Sequence, residues 1–292
     1  HKGDEVMNKK ERSDKAVLGV RRFISYLVLT LLSIICLFSF YILVINATRA
    51  NAQIQQGFSV IPGQRLLANI KTVFANKEIP ILYGLRNSFI ISASCAVFTT
   101  YFSALTAYAI HAYNFRFKNA AFTFILMIMM VPAQVSSMGF VNLMKSMHLM
   151  NTFIPLIVPS IAAPVVFFFM KQYMESSLPI EIIEAARIDG SSEFRTFNHV
   201  VLPILKPAVA VQAIFAFVSS WNNYFVPALI LEDAKRKTLP IMIAMYRSAD
   251  YLKFDMGQVY MVIAISILPV VVVYLCLSKF IVQGVAIGSV KG

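Results

Sequence analysis

Charged residues are scarce in this 292-residue chain: 14% are Asp, Glu, Lys or Arg, against about one quarter in an ordinary soluble domain. The deficit is concentrated in long blocks that hold no Asp, Glu, Lys or Arg. That excludes a disordered chain and an ordinary cytosolic enzyme. The 3 cysteines, Cys36, Cys95 and Cys276, lie far apart inside apolar blocks, so neither a disulfide framework nor a metal-ligand spacing exists. No Gly is followed directly by Lys, so the phosphate-cradling Gly-Lys-Ser/Thr loop is missing and the chain is not expected to hold ATP. H-E-x-x-H and G-x-S-x-G are missing too, which leaves no catalytic residues and no metal site to nominate. The 4 histidines are scattered.

Apolar length is abundant. Hydrophobic residues make up 58% of the chain, and the mean hydropathy is +0.70. A bilayer core needs roughly 20 apolar residues in a helix. Six blocks satisfy this: Ile24–Ile45, Asn87–Ile110, Ala120–Leu143, Phe153–Met170, Ala208–Leu231 and Val259–Leu277. The fourth is the shortest and holds Pro155, Pro159 and Pro164, so a re-entrant segment is its alternative reading. The expected fold is an all-α polytopic transmembrane helical bundle of six spans, one transmembrane domain over residues 24–292. His1–Val6 resemble a tag remnant, and residues 7–23 form a basic tail. That tail, with Lys9, Lys10, Arg12, Lys15, Arg21 and Arg22, places the N-terminus in the cytoplasm by the positive-inside rule. An even span count puts the C-terminus there too. The excess of 26 Lys+Arg over 14 Asp+Glu fits loops on an anionic membrane leaflet. No basic face alternates with aromatics, so nucleic acid is not an expected partner.

Between the fourth and fifth blocks, the inner loop of residues 171–207 carries a short helix, a turn and a second helix. Pro179 suits a helix start, Glu181 and Glu184 complement its dipole, and Asp189-Gly190 ends it. Glu193 begins the next helix, Pro203 ends it, and Pro207 opens the fifth span. An amphipathic helix lying on the membrane surface is the plain alternative.

The string Glu184-Ala185-Ala186, three residues, Gly190, nine residues, Val200, one residue, Leu202-Pro203 resembles the signature of ABC importer permeases. Ile-Asp-Gly-Ser at 188–191, Trp221 to Phe225 with Pro227, and the tail Gly288 to Gly292 resemble the carbohydrate-uptake branch, and most of all the smaller six-span permease of maltose-type importers. The resemblance runs from about Asn69 to the end. It implies that Glu184, Ala185, Ala186, Asp189, Gly190, Leu202 and Pro203 belong to a cytoplasmic coupling helix seated on an ATP-hydrolysing subunit. It further implies a second homologous permease in a heterodimer, a cytosolic ABC ATPase dimer carrying ATP and Mg, and an extracellular or periplasmic solute-binding protein. Lys291 and Gly292 match a tail that approaches the ATPase. Import of a saccharide through a prokaryotic cell membrane follows from the resemblance alone.

Polar residues inside apolar spans need a reason, because an unsatisfied polar group in lipid costs several kcal/mol. Ser219, Ser220, Trp221, Asn222, Asn223 and Tyr224 in the fifth block, with Gln134 in the third, suit an uncharged hydroxyl-rich solute; contact with neighbouring helices or with the second permease is the alternative. For the serines and threonines of the second block, helix packing is the preferred reading. A self-sufficient channel or a sodium-coupled carrier remains the alternative function. A proton-driven carrier is disfavoured, because no ionisable relay lies within the blocks.

Overall fold

The computed structural model describes residues 2–248 and 255–289, with side-chain surroundings for 18–132, 135–248 and 255–280. Every regular element among the described residues is helical. In chain order these are α1 Lys2–Ala47, α2 Asn51–Gln55, α3 Leu66–Ala75, α4 Ile81–Ala112, α5 Lys118–Ile128, α6 Ala133–Ser146, α7 Ile154–Ile157, α8 Pro164–Ser177, α9 Ile180–Ile188, α10 Glu193–Thr196, α11 Leu202–Ile204, α12 Lys206–Trp221, α13 Phe225–Ile230, α14 Leu239–Arg247 and α15 Met256–Ser289.

Four stretches among the described residues are long and apolar enough to cross a membrane: Leu18–Ala47, Ile81–Ala112, Ile154–Ser177 and Met256–Phe280. They match the first, second, fourth and sixth blocks. The third and fifth blocks are each divided, so six uninterrupted spans are not what the structure shows. Between α5 and α6, the N–H groups of Met129, Met130 and Val131 turn to carbonyls three residues back. The chain then becomes extended at Pro132, which opens α6. Between α12 and α13 the helix stops at Asn222 and restarts at Phe225. A continuous helix would drive the Pro227 ring into the carbonyl of Asn223.

The chain divides into two units, His1–Ile70 with Asp255–Ala264, and Lys71–Phe254 with Ile265–Gly292. In the first, the chain leaving α1 folds around Arg49, which is only 8% exposed. Its guanidinium donates to the carbonyls of Gly57 and Gln53 and to Asn46 Oδ1. Gly257 packs so tightly here that a Cβ would sit 2.5 Å from Arg49 O.

In the second unit, α4 is the central helix, packed along α12 and α8. Ala104, Ala107 and Tyr108 of α4 share a core with Phe167, Met170, Met174, Ile183 and Phe197. The prolines of the fourth block break its helix: a 3-10 turn covers Val158–Ile161 before α8 begins. Pro164 removes the N–H that Ser160 O would accept in a helix. α4 supplies the substitute, with Thr99 Oγ1 donating to Ser160 O at 2.8 Å. One turn to either side, Cys95 Sγ donates to Leu156 O at 3.3 Å and Ser103 Oγ to Ala163 O at 3.4 Å. The i, i+4, i+8 spacing puts these three donors in one stripe.

Candidate functional site

The loop of residues 171–207 folds as a short helix and a turn, with one correction. α9 starts after Pro179, with Glu181 in its first turn and Arg187 in its last, both favourable to the helix dipole. Gly190 takes φ +77°, a left-handed conformation open mainly to Gly. Its N–H donates to Arg187 O and that of Ser191 to Ala186 O, both at 3.0 Å, which is the Schellman ending. The correction concerns Pro203, expected to end a helix. It lies inside α11, and the chain bends by 82° only at the next break, between Ile204 and Lys206. A π-helical turn over Phe197–Val201 precedes it. The wider turn gives the proline ring the room that an α-turn would deny it.

The motif residues divide between two faces. Ile183 and Ala186 are buried against the core, whereas Glu184, Ala185, Asp189 and Gly190 are exposed beside Ile188, which is 86% exposed, and Phe194. Leu202 is half-buried and Pro203 exposed. Side chains fasten the turn to α4. Arg187 Nε and Glu193 Oε1 lie 2.7 Å apart, Tyr108 OH donates to Glu193 Oε2 at 2.7 Å, and the Arg187 guanidinium lies 5.1 Å from the Tyr113 ring centre. The Arg187 hydrogen bond holds the Glu193 carboxyl down at about 2. His111 Nε2 donates to Leu178 O at 2.9 Å, anchoring the start of the loop.

The second feature is a cavity of about 1150 Å³ between α4, α6, the α7–α8 break and α12. Of the pathway residues, Ser219, Ser220 and Asn223 line it, with Ser136 and Ser137 opposite. Trp221 does not. It is buried, stacked on Phe217 with ring centres 5.6 Å apart, and its Nε1 donates to Ser266 O at 3.1 Å. Asn222 and Tyr224 are exposed but outside the lining. For Trp221 helical geometry is the reason, since neighbours along α12 point about 100° apart; Asn222 and Tyr224 lie at the break after α12. The Gln134 side chain, like Lys291 and Gly292, lies outside the described residues. Gln212, not singled out from sequence, lines the cavity and is 9% exposed. The available signal was its place two helical turns before Ser219. Among the described residues, no group of His, Cys, Asp and Glu could hold a metal ion.

Residues 99–287 match the family described as binding-protein-dependent transport system inner membrane component. The chain belongs to that family. Its relatives are permease subunits of ABC transporters. Among similar permeases is the arabinooligosaccharides transport system permease protein AraQ of Bacillus subtilis, 29% identical over 94% of this chain and 97% of that protein. The lactose transport system permease protein LacG of Rhizobium radiobacter is 29% identical over 92% and 96%. The sn-glycerol-3-phosphate transport system permease protein UgpE of Salmonella typhi is 30% identical over 86% and 90%. In fold, this permease is similar to a chain in the crystal structure of a bacterial ABC transporter involved in the import of the acidic polysaccharide alginate. The TM-score is 0.74 at 20% identity, covering 89% of this chain and 96% of that one.

Proposed function

We propose that this permease is one of two homologous membrane subunits of an ATP-driven importer for a saccharide. In this reading the chain crosses the membrane six times, with the third and fifth crossings each built from two shorter helices and both termini in the cytoplasm. An ATPase dimer holds ATP and Mg²⁺, and an external binding protein delivers the solute. The observation that carries the reading is the Gly190 turn. Exposed Glu184, Ala185, Asp189 and Ile188 form one docking surface, while Arg187, Glu193 and Tyr108 tie that surface to the central helix α4. Force applied at the turn therefore reaches the bundle through a rigid connection. Two of the relatives are named for sugars, and the cavity wall carries uncharged polar groups suited to hydroxyls.

Purification from native membranes in mild detergent, followed by mass spectrometry, tests the assembly. A second multi-span permease and an ATPase with a Gly-Lys-Ser/Thr loop are expected in stoichiometric amount. Recovery of the chain alone, under conditions that preserve a known complex, would favour a channel or carrier. In the same membranes, Gly190→Pro is expected to insert normally yet abolish uptake, because proline is locked near φ −65°. Unimpaired uptake would remove the coupling role from the turn.

A further inference from the structure

Several hydroxyls on the long helices find a carbonyl. Ser33, Ser39, Thr100 and Thr106 turn back to the residue four earlier, at 2.8, 3.2, 2.7 and 2.8 Å. Thr99 and Ser103 reach the α7–α8 break. Along α12, Gln212, Ser219 and Ser220 do neither, and the side chain of Asn223 is likewise without a partner among the described residues. All four line the same cavity. Gln212 and Ser219 fall within one narrow stripe of α12, two turns or about 10 Å apart, and Asn223 lies just past the end of that helix. Gln212 is nine-tenths buried as a residue, yet its amide is not among the fully buried atoms that lack a partner, so the part left accessible opens on the cavity, where a solute hydroxyl can take the place of water.

The rest of the wall narrows the chemistry. Exposed Phe169 and Phe215 contribute aromatic surface. Neither acid, base nor histidine stands among the described lining residues. A charged solute would lose its hydration without gaining a counter-charge, which is costly at membrane depth. A small-molecule site is typically apolar with a few placed polar groups, in cavities of roughly 300–1,000 Å³. This cavity is slightly larger.

We propose that Gln212, with Ser219, Ser220 and Asn223, forms a hydrogen-bonding track for the hydroxyls of an uncharged saccharide, so that this subunit itself contacts the solute. The proposal rests on the importer reading above and adds a residue and a charge class to it. A phosphorylated or carboxylated sugar would find no counter-charge among the described lining residues.

The test uses the complete purified complex, carrying Gln212→Cys in a chain whose Cys36, Cys95 and Cys276 are serine. A hydrophilic methanethiosulfonate reagent should label position 212. Lactose or arabinotriose at millimolar concentration should slow labelling, and sn-glycerol 3-phosphate should not. Failure to label means that the partner permease covers the face, which overturns the track. Labelling that neither sugar slows, or that only the phosphate slows, overturns it as well. In none of these cases is the importer reading lost, because recovery of the ATPase with the chain is scored separately. Gln212→Leu, nearly isosteric and more apolar, should insert normally. Uptake of the protecting sugar below saturation should then fall about tenfold, the effect of one buried polar group left unpaired. Unchanged uptake would overturn the role of the amide.

Discussion

Helices α4 and α12 pack along each other, and both carry uncharged polar side chains within apolar stretches, yet they use them in opposite ways. On α4, Asn87 donates to Lys235 O and Lys237 O, and Ser88 accepts from the Leu239 N–H. Further along, Cys95, Thr99 and Ser103 satisfy the broken helix before α8. On α12, Gln212, Ser219 and Ser220 open onto the cavity. Residue type does not separate packing from pathway here. Accessibility does: Ser92 Oγ of α4 is buried in the packing without a partner among the described residues, whereas a polar face left open inside a membrane must meet water, solute or a partner.

Removing a satisfied group gives the largest expected effect. Thr99→Val keeps the side-chain shape and deletes the donor to Ser160 O, which Pro164 has already deprived of its helical partner. Thr99 is only 6% exposed, so water cannot replace it easily, and the cost should be about 1–3 kcal/mol. A lower thermal midpoint for the purified complex, restored by Thr99→Ser, is the expected result. An unshifted midpoint would mean that the stripe on α4 does not hold the break together.

Charge sharpens the contrast, since no Asp, Glu, Lys, Arg or His stands among the described residues of the cavity wall while the Gly190 turn is fastened by an ion pair. Glu193 is held at about 2, below its ordinary 4.5, first by the Arg187 hydrogen bond. A depressed acid stabilises the fold fully above 4.5 and loses that contribution as pH falls from 4.5 towards 2. The side chains of Arg187 and Glu193 are 33% and 44% exposed, so screening keeps the contribution below about 1 kcal/mol. Stability of the complex in acid should therefore show a limb that Glu193→Gln flattens. An identical acid limb in that variant would remove the ion pair from the account.

The turn was legible because its signals are local: Pro179 before the helix, Asp189-Gly190 after it, Glu193 beyond. The π-helical turn before Pro203 was not, since it depends on how the chain accommodates a proline within a packed loop. The fifth block misled in a different way. The run from Ser219 to Tyr224 reads as one feature in sequence, but α12 ends within it and sends neighbouring residues to different faces, and Trp221 turns inward to Phe217 and Ser266. Gln212 stood alone in sequence and belonged to the same face. Block length overstated the third and fifth spans, because it ignored Pro132 and Pro227 inside them.

Ser219→Ala gives the smallest expected effect and the sharpest contrast with Thr99→Val. Ser219 is exposed to the cavity and has no partner among the described residues, so its removal orphans nothing. Alanine is also the better helix former, by roughly 0.5 kcal/mol. The thermal midpoint of the complex should therefore hold or rise slightly. Sugar uptake below saturation should still drop, by about two- to threefold, as expected for one hydrogen bond at a site open to water. The two readouts must separate for this variant and move together for Thr99→Val. If Ser219→Ala destabilised the complex as much as Thr99→Val, the serine would have a protein partner, and the open face of α12 would be an interface between helices.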